Sequence, residues 1–301
     1  MENSNEFRAE LHAHPFFEFE RYSFEDVINK AGKKNLDFLA LGRLDNDIYP
    51  ELQKHAEELI KTGGYISCID NTLIRITDKR TLCDVYIPRM VESRREIDVL
   101  TIGKSSGFEN CKTVEHIINK TLEEDEGNII ILDHPFVVKD STFRNIDEKT
   151  EQYVEHLCKK YSGHVALELN GYCVPWMRKL GGLVLAGKPA EDCNKKVIEL
   201  SERLKQEGYN APAVSDIDGH FRYKWSLNAL DKAAITFDRD KVFENASIPD
   251  YTNLIGNMKK QIMEGNYKMK PLNELYVGFL HQFCNFALPV LFPKSFPNSR
   301  A

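Results

Sequence analysis

No run of apolar residues in this 301-residue chain reaches the roughly 18 that a membrane-spanning helix needs. The best candidate, Phe279 to Phe292, is interrupted by His281, Gln282, Asn285 and Pro289. Met1 to Phe7 is polar and acidic, without the basic stretch and apolar core of a secretory signal, so the chain is expected to be cytoplasmic. Cys-x-x-Cys pairs are missing too. The seven cysteines are scattered at 68, 83, 111, 158, 173, 193 and 284, which argues against a disulfide framework and a thiolate zinc cluster. They read as reduced, mostly buried thiols. There is no basic surplus: 40 Lys and Arg stand against 46 Asp and Glu, for a net charge of -6. That balance gives no support to bulk electrostatic binding of a phosphate backbone, although it does not exclude nucleic acid as a substrate. Gly181 and Gly182 are not followed by the Lys-Ser/Thr of a P-loop and read as a turn.

The composition that remains, 42% hydrophobic and 29% charged, is that of a globular chain, and the length suits one α/β barrel. Ser23 caps a helix running to about Lys34, followed by the strand-length run Leu36 to Leu41. Ile66 to Ile69, Leu73 to Ile76 and Ile97 to Ile102 read as further strands, and the basic run around Arg89 to Glu96 reads as a solvated face. Helices at about 113–123, 149–160 and 190–207 each precede a buried run, at 128–132, 165–169 and 211–214. Helix followed by buried strand, repeated in this way, is the pattern of a parallel sheet with right-handed crossovers, and a barrel is its natural closure. Leu227 to Ala234, Asn253 to Met263 and Leu272 to Ala287 read as helices after the pattern changes, with Ala246 to Tyr251 as a loop.

Metal-capable residues recur where strands should end. His12 and His14, two apart in ELHAHP, share one face of an extended strand and can chelate one ion. Asp133 and His134 follow the strand Ile129 to Leu132. Glu168 interrupts the apolar strand VALELNG, where a carboxylate is costly without a partner. Asp216, Asp218 and His220 lie in AVSDIDGH. His55, His116 and His156 lie in helical contexts, His164 in a loop and His281 on an apolar stripe, and these read as exposed or structural. Trp176, Trp225, Phe221 and Tyr223 suit either a pocket wall or the core.

Taken in order, ELHAHP, KKNLDFLALGRLDN, ILDHP, ALELNG and AVSDIDGH resemble the motifs of the PHP family of metal-dependent phosphoesterases, over roughly residues 7 to 240. The resemblance implies a distorted (β/α)7 TIM-like barrel over 1–245, with a C-terminal helical extension over 246–301 packed on it. It also implies one to three divalent ions, zinc, manganese or iron, at the C-terminal mouth. His12, His14, His134 and Asp216 carry over as metal ligands, Asp70 as the bridging acid, and His220 as a ligand or proton shuttle. The family's Thr-Asp-His triplet is absent. Arg43 and Leu44 stand in its place, or Asp45 and Asn46 after a two-residue slip, and Asp98 stands where a family histidine belongs. Arg43 could then replace an ion or grip a phosphate, or be a surface or salt-bridged loop residue; Arg222 could help bind substrate, and Glu168 and Asp45 could orient ligands. The implied activity is hydrolysis of a small phosphorylated metabolite. An amidohydrolase-like enzyme acting on an amide or lactone, and a PHP-fold scaffold that has lost catalysis, remain as alternatives. No metal-bridging lysine is seen at the strand end where the first would need it.

Overall fold

The computed structural model describes residues 5–15, 22–103, 107–138, 144–171, 173–221, 224–244 and 252–275. In chain order, β1 (Glu6–Pro15) is followed by α1 (Phe24–Lys33), β2 (Phe38–Leu41) and α2 (Tyr49–Lys61). A run of strands comes next: β3 (Tyr65–Ile69), β4 (Leu73–Asp78), β5 (Asp84–Pro88), β6 (Met90–Arg94) and β7 (Asp98–Ile102). Helix and strand then alternate through α3 (Val114–Glu124), β8 (Ile129–Asp133), α4 (Glu148–Lys160) and β9 (Val165–Asn170). After these come α5 (Pro175–Ala186), α6 (Cys193–Gln206), β10 (Ala213–Asp216), β11 (Gly219–Phe221) and β12 (Ile235–Asp238). The described part ends with α7 (Arg239–Val242), α8 (Thr252–Glu264), β13 (Tyr267–Lys268) and α9 (Leu272–Leu275).

These strands form two mixed sheets, which corrects the expectation of a closed (β/α)7 barrel. One sheet runs β13-β12-β1-β2-β5-β4-β3, with β11 also pairing β1, and the other runs β10-β9-β8-β7-β6. Loop length explains the difference. Only residues 70–72 join β3 to β4, and only 95–97 join β6 to β7. A parallel crossover needs about a dozen residues, so these strands can pair only as antiparallel hairpins. Their registers are Ser67 opposite Ile76 and Glu92 opposite Leu100. The parallel pattern holds for β1 with β2 and for β8, β9 and β10. The two sheets meet where Leu44 bridges to Glu92 and where Ile217 N donates to Glu10 Oε1 at 2.8 Å.

Local signals in the sequence place most helices. Ser23 accepts from Asp26 N while Asp26 accepts from Ser23 N, a capping box that starts α1. Thr113, Asp147 and Asp192 cap α3, α4 and α6, each side chain accepting from the backbone N three residues on. The charged run around Arg89 to Glu96 departs from expectation, because it contains the buried strand β6. So does Leu227 to Ala234: a short 3-10 turn ends at Ala229 and β12 begins at Ile235. Gly181 and Gly182 lie inside α5 rather than in a turn. The stretch 246–251 and most of 272–287 lie outside the described residues. Within 252–268, α8 adds Leu254, Met258 and Ile262 to a core shared with both sheets, and β13 pairs with β12. No described helix is long and apolar enough to cross a membrane.

The core between the sheets sets up what lies beyond it. Met90, Leu100, Ile131, Ala166 and Val214 belong to this inner cluster, together with Phe7 and Ala9 of β1. Side chains two apart on a strand share a face. Glu92, Asp98, Asp133, Glu168 and Asp216 therefore continue the same inner face one layer further along. On β1 the pairing register with β2 shifts between Glu10 and Ala13, a bulge-like irregularity of the kind that re-aims side chains. Outside the sheets, a second cluster packs α1, α2, α3, α4 and α6 onto their outer faces.

Gly182 shows how packing overrides propensity. A Cβ there would come within 2.5 Å of Ala190 N. Helix propensity alone favours Gly182→Ala by about 1 kcal/mol. The clash should reverse that sign and destabilise the chain by roughly 1–3 kcal/mol in urea unfolding. A more stable variant would show that the helix and the following loop do not approach this closely.

Candidate metal centre

His12 sits at the centre of a sealed polar layer. Its Nδ1 lies 3.1 Å from Glu168 Oε1, 3.4 Å from Asp133 Oδ1 and 3.9 Å from Asp216 Oδ1. Its Nε2 lies 3.7 Å from Glu92 Oε2 and 3.9 Å from Asp218 Oδ1. His14 Nε2 is 3.3 Å from both Glu92 Oε2 and Asp218 Oδ1, and its Nδ1 is 3.1 Å from Gly42 O. That carbonyl fixes the ring so that Nε2 points into the cluster. His134 follows β8, with Nε2 3.2 Å from Asp133 Oδ2 and 4.0 Å from Asp218 Oδ2. Asn170 Nδ2 donates to Asp218 at 2.9 Å and to Glu168 at 3.3 Å, and the backbone N of His134 donates to Glu168 Oε2.

Three sets of groups are close enough to share an ion: His12, His14 and Asp218; Glu92, Asp98, Asp133 and His134; and His12, Asp133 and Glu168. The donor chemistry fits a divalent cation. His12 Nε2, Glu92 Oε2, Asp216 Oδ2 and both carboxylate oxygens of Asp133 are buried and form no hydrogen bond among the described residues. Such atoms are costly to seal from water unless something positive faces them. Six buried carboxylates, at 92, 98, 133, 168, 216 and 218, face three imidazoles, and Arg94 Nε reaches Asp98 at 3.6 Å. The layer therefore stays negative even with every imidazole protonated. Two of its residues have positive φ, His134 at 26° and Asp218 at 43°, a conformation uncommon outside glycine that surrounding contacts hold.

The expected residues do not all converge. His12, His14, His134 and Asp216 come together, and Glu168 touches His12 directly instead of standing behind another ligand. Asp70 is elsewhere, in the β3–β4 turn, where its carboxylate accepts from Thr72 N at 2.6 Å and Leu73 N at 2.7 Å. A three-residue hairpin needs such a local cap, and this holds Asp70 away from the cluster. Asp45 accepts from Arg94 N and Arg95 Nη1, both at 3.1 Å, and so anchors a loop rather than orienting a ligand. Arg43 Nη1 lies 3.7 Å from Glu51 Oε2 on α2. His220 pairs through β11 with His14, but its side chain lies outside the described residues, as does all of Arg222.

Sequence reasoning missed Glu92 and assigned no role to Asp133 or Asp218 as ligands. Glu92 was hidden in a basic run, although Met90 and Val91 beside it marked a strand. Asp98, weighed only as a stand-in for a histidine, is in the second set.

Without cations, proton binding must carry this charge. Burial drives Asp216 well above the carboxylate range, and the neighbouring Glu168 charge adds to it. Burial opposes the charge of Glu168 as well, but hydrogen bonds with His12 and Asp216 hold it at about 2. Burial moves Asp98 and Asp133 up to about 6 and Glu10 to about 8. For His134, burial pulls down, but Asp133, Glu168 and Asp218 outweigh it and lift the ring to about 10. His12 is also raised, as Asp133, Glu168 and Glu92 overcome its burial.

Compared with models of known protein families and with curated proteins, the chain matches none of them.

Two solution measurements follow. Asp98, Asp133, Glu10 and His134 bind protons more tightly folded than unfolded, so their contribution to stability is complete below their ordinary values and is lost as pH rises through the folded ones. Chelator-treated protein should melt at progressively lower temperature from about pH 5 to pH 8, and a divalent cation should restore the loss. A rising melting temperature across that window would contradict this account. Cation binding at pH 7 should also release protons, measured by calorimetry in buffers of differing ionisation enthalpy, because an imidazole binds metal in its neutral form.

Proposed function

We propose that this chain is a metal-dependent phosphoesterase of PHP type that hydrolyses a phosphate ester of a small metabolite. The observation that carries the reading is the sealed surplus of carboxylates around His12, His14 and His134. Mixed imidazole and carboxylate donors suit zinc, manganese or iron. Bound divalent cations would lower the pKa of a water and neutralise charge on the phosphoryl oxygens.

The chain's own groups have separate tasks in this reading. His12, His14, Glu92, Asp133, Glu168 and Asp218 hold the cations. Gly42 O and Asn170 Nδ2 orient His14, Glu168 and Asp218, each through a contact on the side away from the shared centre. His134 is the most open of the three imidazoles, its side chain 21% exposed against 0% for His12 and 7% for His14. It lines a cavity of about 250 Å³ with Asp98, Asp133, Val137, Val138 and Ile146. It is therefore the ring placed to pass a proton from Nε2 to a leaving oxygen. The cavity is below the roughly 300–1,000 Å³ of ordinary ligand pockets, which suits a small phosphate ester.

Metal analysis of the protein as purified, joined to a phosphatase screen, tests the reading. Bound ions with phosphate release support it. Amide or lactone hydrolysis in place of phosphate release, or an inert protein without ions, overturns it. Replacing His12 and His14 together with alanine should remove bound metal and phosphate release while the circular dichroism spectrum is kept. Glu92→Gln should weaken metal retention and turnover by at least about a hundredfold, as loss of a ligand charge demands, whereas Asp70→Asn should leave both unchanged. The reverse ranking would return the bridging role to Asp70.

A further inference from the structure

Four cations gather at the end of β1 away from the metal centre. Arg8 lies four strand residues before His12, roughly 13 Å along β1. Its Nη1 donates to Lys34 O at 2.6 Å, and its Nη2 lies 3.5 Å from Asp231 Oδ2. Lys34, the C-cap of α1, places Nζ 3.0 Å from Asp231 Oδ1. Lys270, beyond β13, donates from Nζ to Asp231 O at 2.7 Å. Lys30, one turn before Lys34, donates to Asn228, three residues before Asp231. Among the described residues, Asp231 is the one acidic residue that these four side chains touch. Asp37, which accepts from the backbone N of Arg8, is itself bound by Arg239 Nη1 at 2.8 Å.

Helix chemistry accounts for only part of this cluster. Cations in the last turn of a helix answer its dipole, which explains Lys30 and Lys33. Arg8 and Lys270 come from other parts of the chain, and four cations against one carboxylate leave a local surplus of three charges in a chain whose net charge is -6. The lysines register the crowding. Burial pulls Lys30 below its ordinary value, and the charges of Lys34 and Lys33 push it further, against Asp231. Burial does the same to Lys270, with Arg8 and Lys232 adding to it against Asp231 and Glu10. An anion seated among these groups reverses that repulsion. The side chains of Arg8 and Lys34 are 23% and 30% exposed, so a solute can reach them. A guanidinium fork flanked by ammonium groups matches phosphate oxygens, the arginine through paired hydrogen bonds and the lysines as point charges. Three surplus charges favour a phosphoanion carrying two or more negative charges over a single carboxylate.

We propose that Arg8, Lys30, Lys34 and Lys270 form a binding site for a small, multiply charged phosphoanion, either free pyrophosphate or the diphosphate of a nucleotide. The site is independent of the phosphoesterase reading, since none of its residues belongs to the metal centre. Equilibrium dialysis of radiolabelled pyrophosphate against the full chain, treated with chelator and then freed of it, tests the proposal. Without cations the acidic layer around His12 repels anions, so binding there does not compete. Pyrophosphate should bind at an ionic strength of about 0.15 M, equally in the unaltered protein and in the His12→Ala, His14→Ala variant. The double variant Lys34→Gln, Lys270→Gln should weaken it at least about tenfold. If circular dichroism shows that this variant fails to fold, Lys30→Gln, which leaves the contacts of Asp231 in place, should weaken binding at least about threefold. Adenosine diphosphate binding more tightly than pyrophosphate would assign the phosphates to a nucleotide, and the reverse order to a free anion; either supports the site. No binding of either probe, binding that vanishes at that ionic strength, or binding indifferent to the lysine substitutions would overturn the proposal. So would binding confined to single-stranded oligonucleotides, which would make the cluster a nucleic-acid contact.

Discussion

Negative charge sealed away from water around His12 is the constraint on which the rest of this structure depends. A single buried carboxylate can be tolerated through a proton or a hydrogen bond, but six in one layer exceed what three imidazoles and a neighbouring guanidinium can balance. The positive-φ backbone at His134 and Asp218 belongs to the same account. Both residues are held in uncommon conformations beside the charges they face, sustained because the layer is rigidly supported by the apolar core behind it.

That support comes from strand alternation more than from any closed architecture. Met90, Leu100, Ile131, Ala166 and Val214 fill the space between two open sheets, and the residue two positions along each strand supplies a carboxylate. One apolar layer thus positions the polar one. Antiparallel β6 and β7 contribute Glu92 and Asp98 as effectively as parallel β8, β9 and β10 contribute Asp133, Glu168 and Asp216. Strand direction is immaterial here, because what matters is which end of the inner face a residue occupies.

This explains which parts of the site were legible. His12, His14, His134 and Asp216 stand in short motifs at the ends of apolar runs, where position along the chain already marks a strand end. Glu168 stood out because an acid inside an apolar strand demands a partner. Glu92 did not, because arginines surround it and the run resembled a solvated face. Its burial depends on β6 pairing with β7 and bridging to Leu44, contacts that local composition does not encode. Asp70 was misleading for the converse reason. It follows a strand, as a ligand would, but a three-residue hairpin uses its carboxylate to close its own turn. The barrel expectation failed on the same stretch, since loops this short allow only antiparallel pairing.

Local chemistry by itself determined where helices begin, which runs are buried and which histidines stand at strand ends, since caps, periodicity and apolar runs act over a few residues. Tertiary structure alone decided that the sheets stay open, that Glu92, Asp133 and Asp218 join the histidines, and that Asp70 and Asp45 do not. Those outcomes depend on register and on contacts between residues as far apart as 12 and 168, and such contacts are settled by the packing of whole sheets.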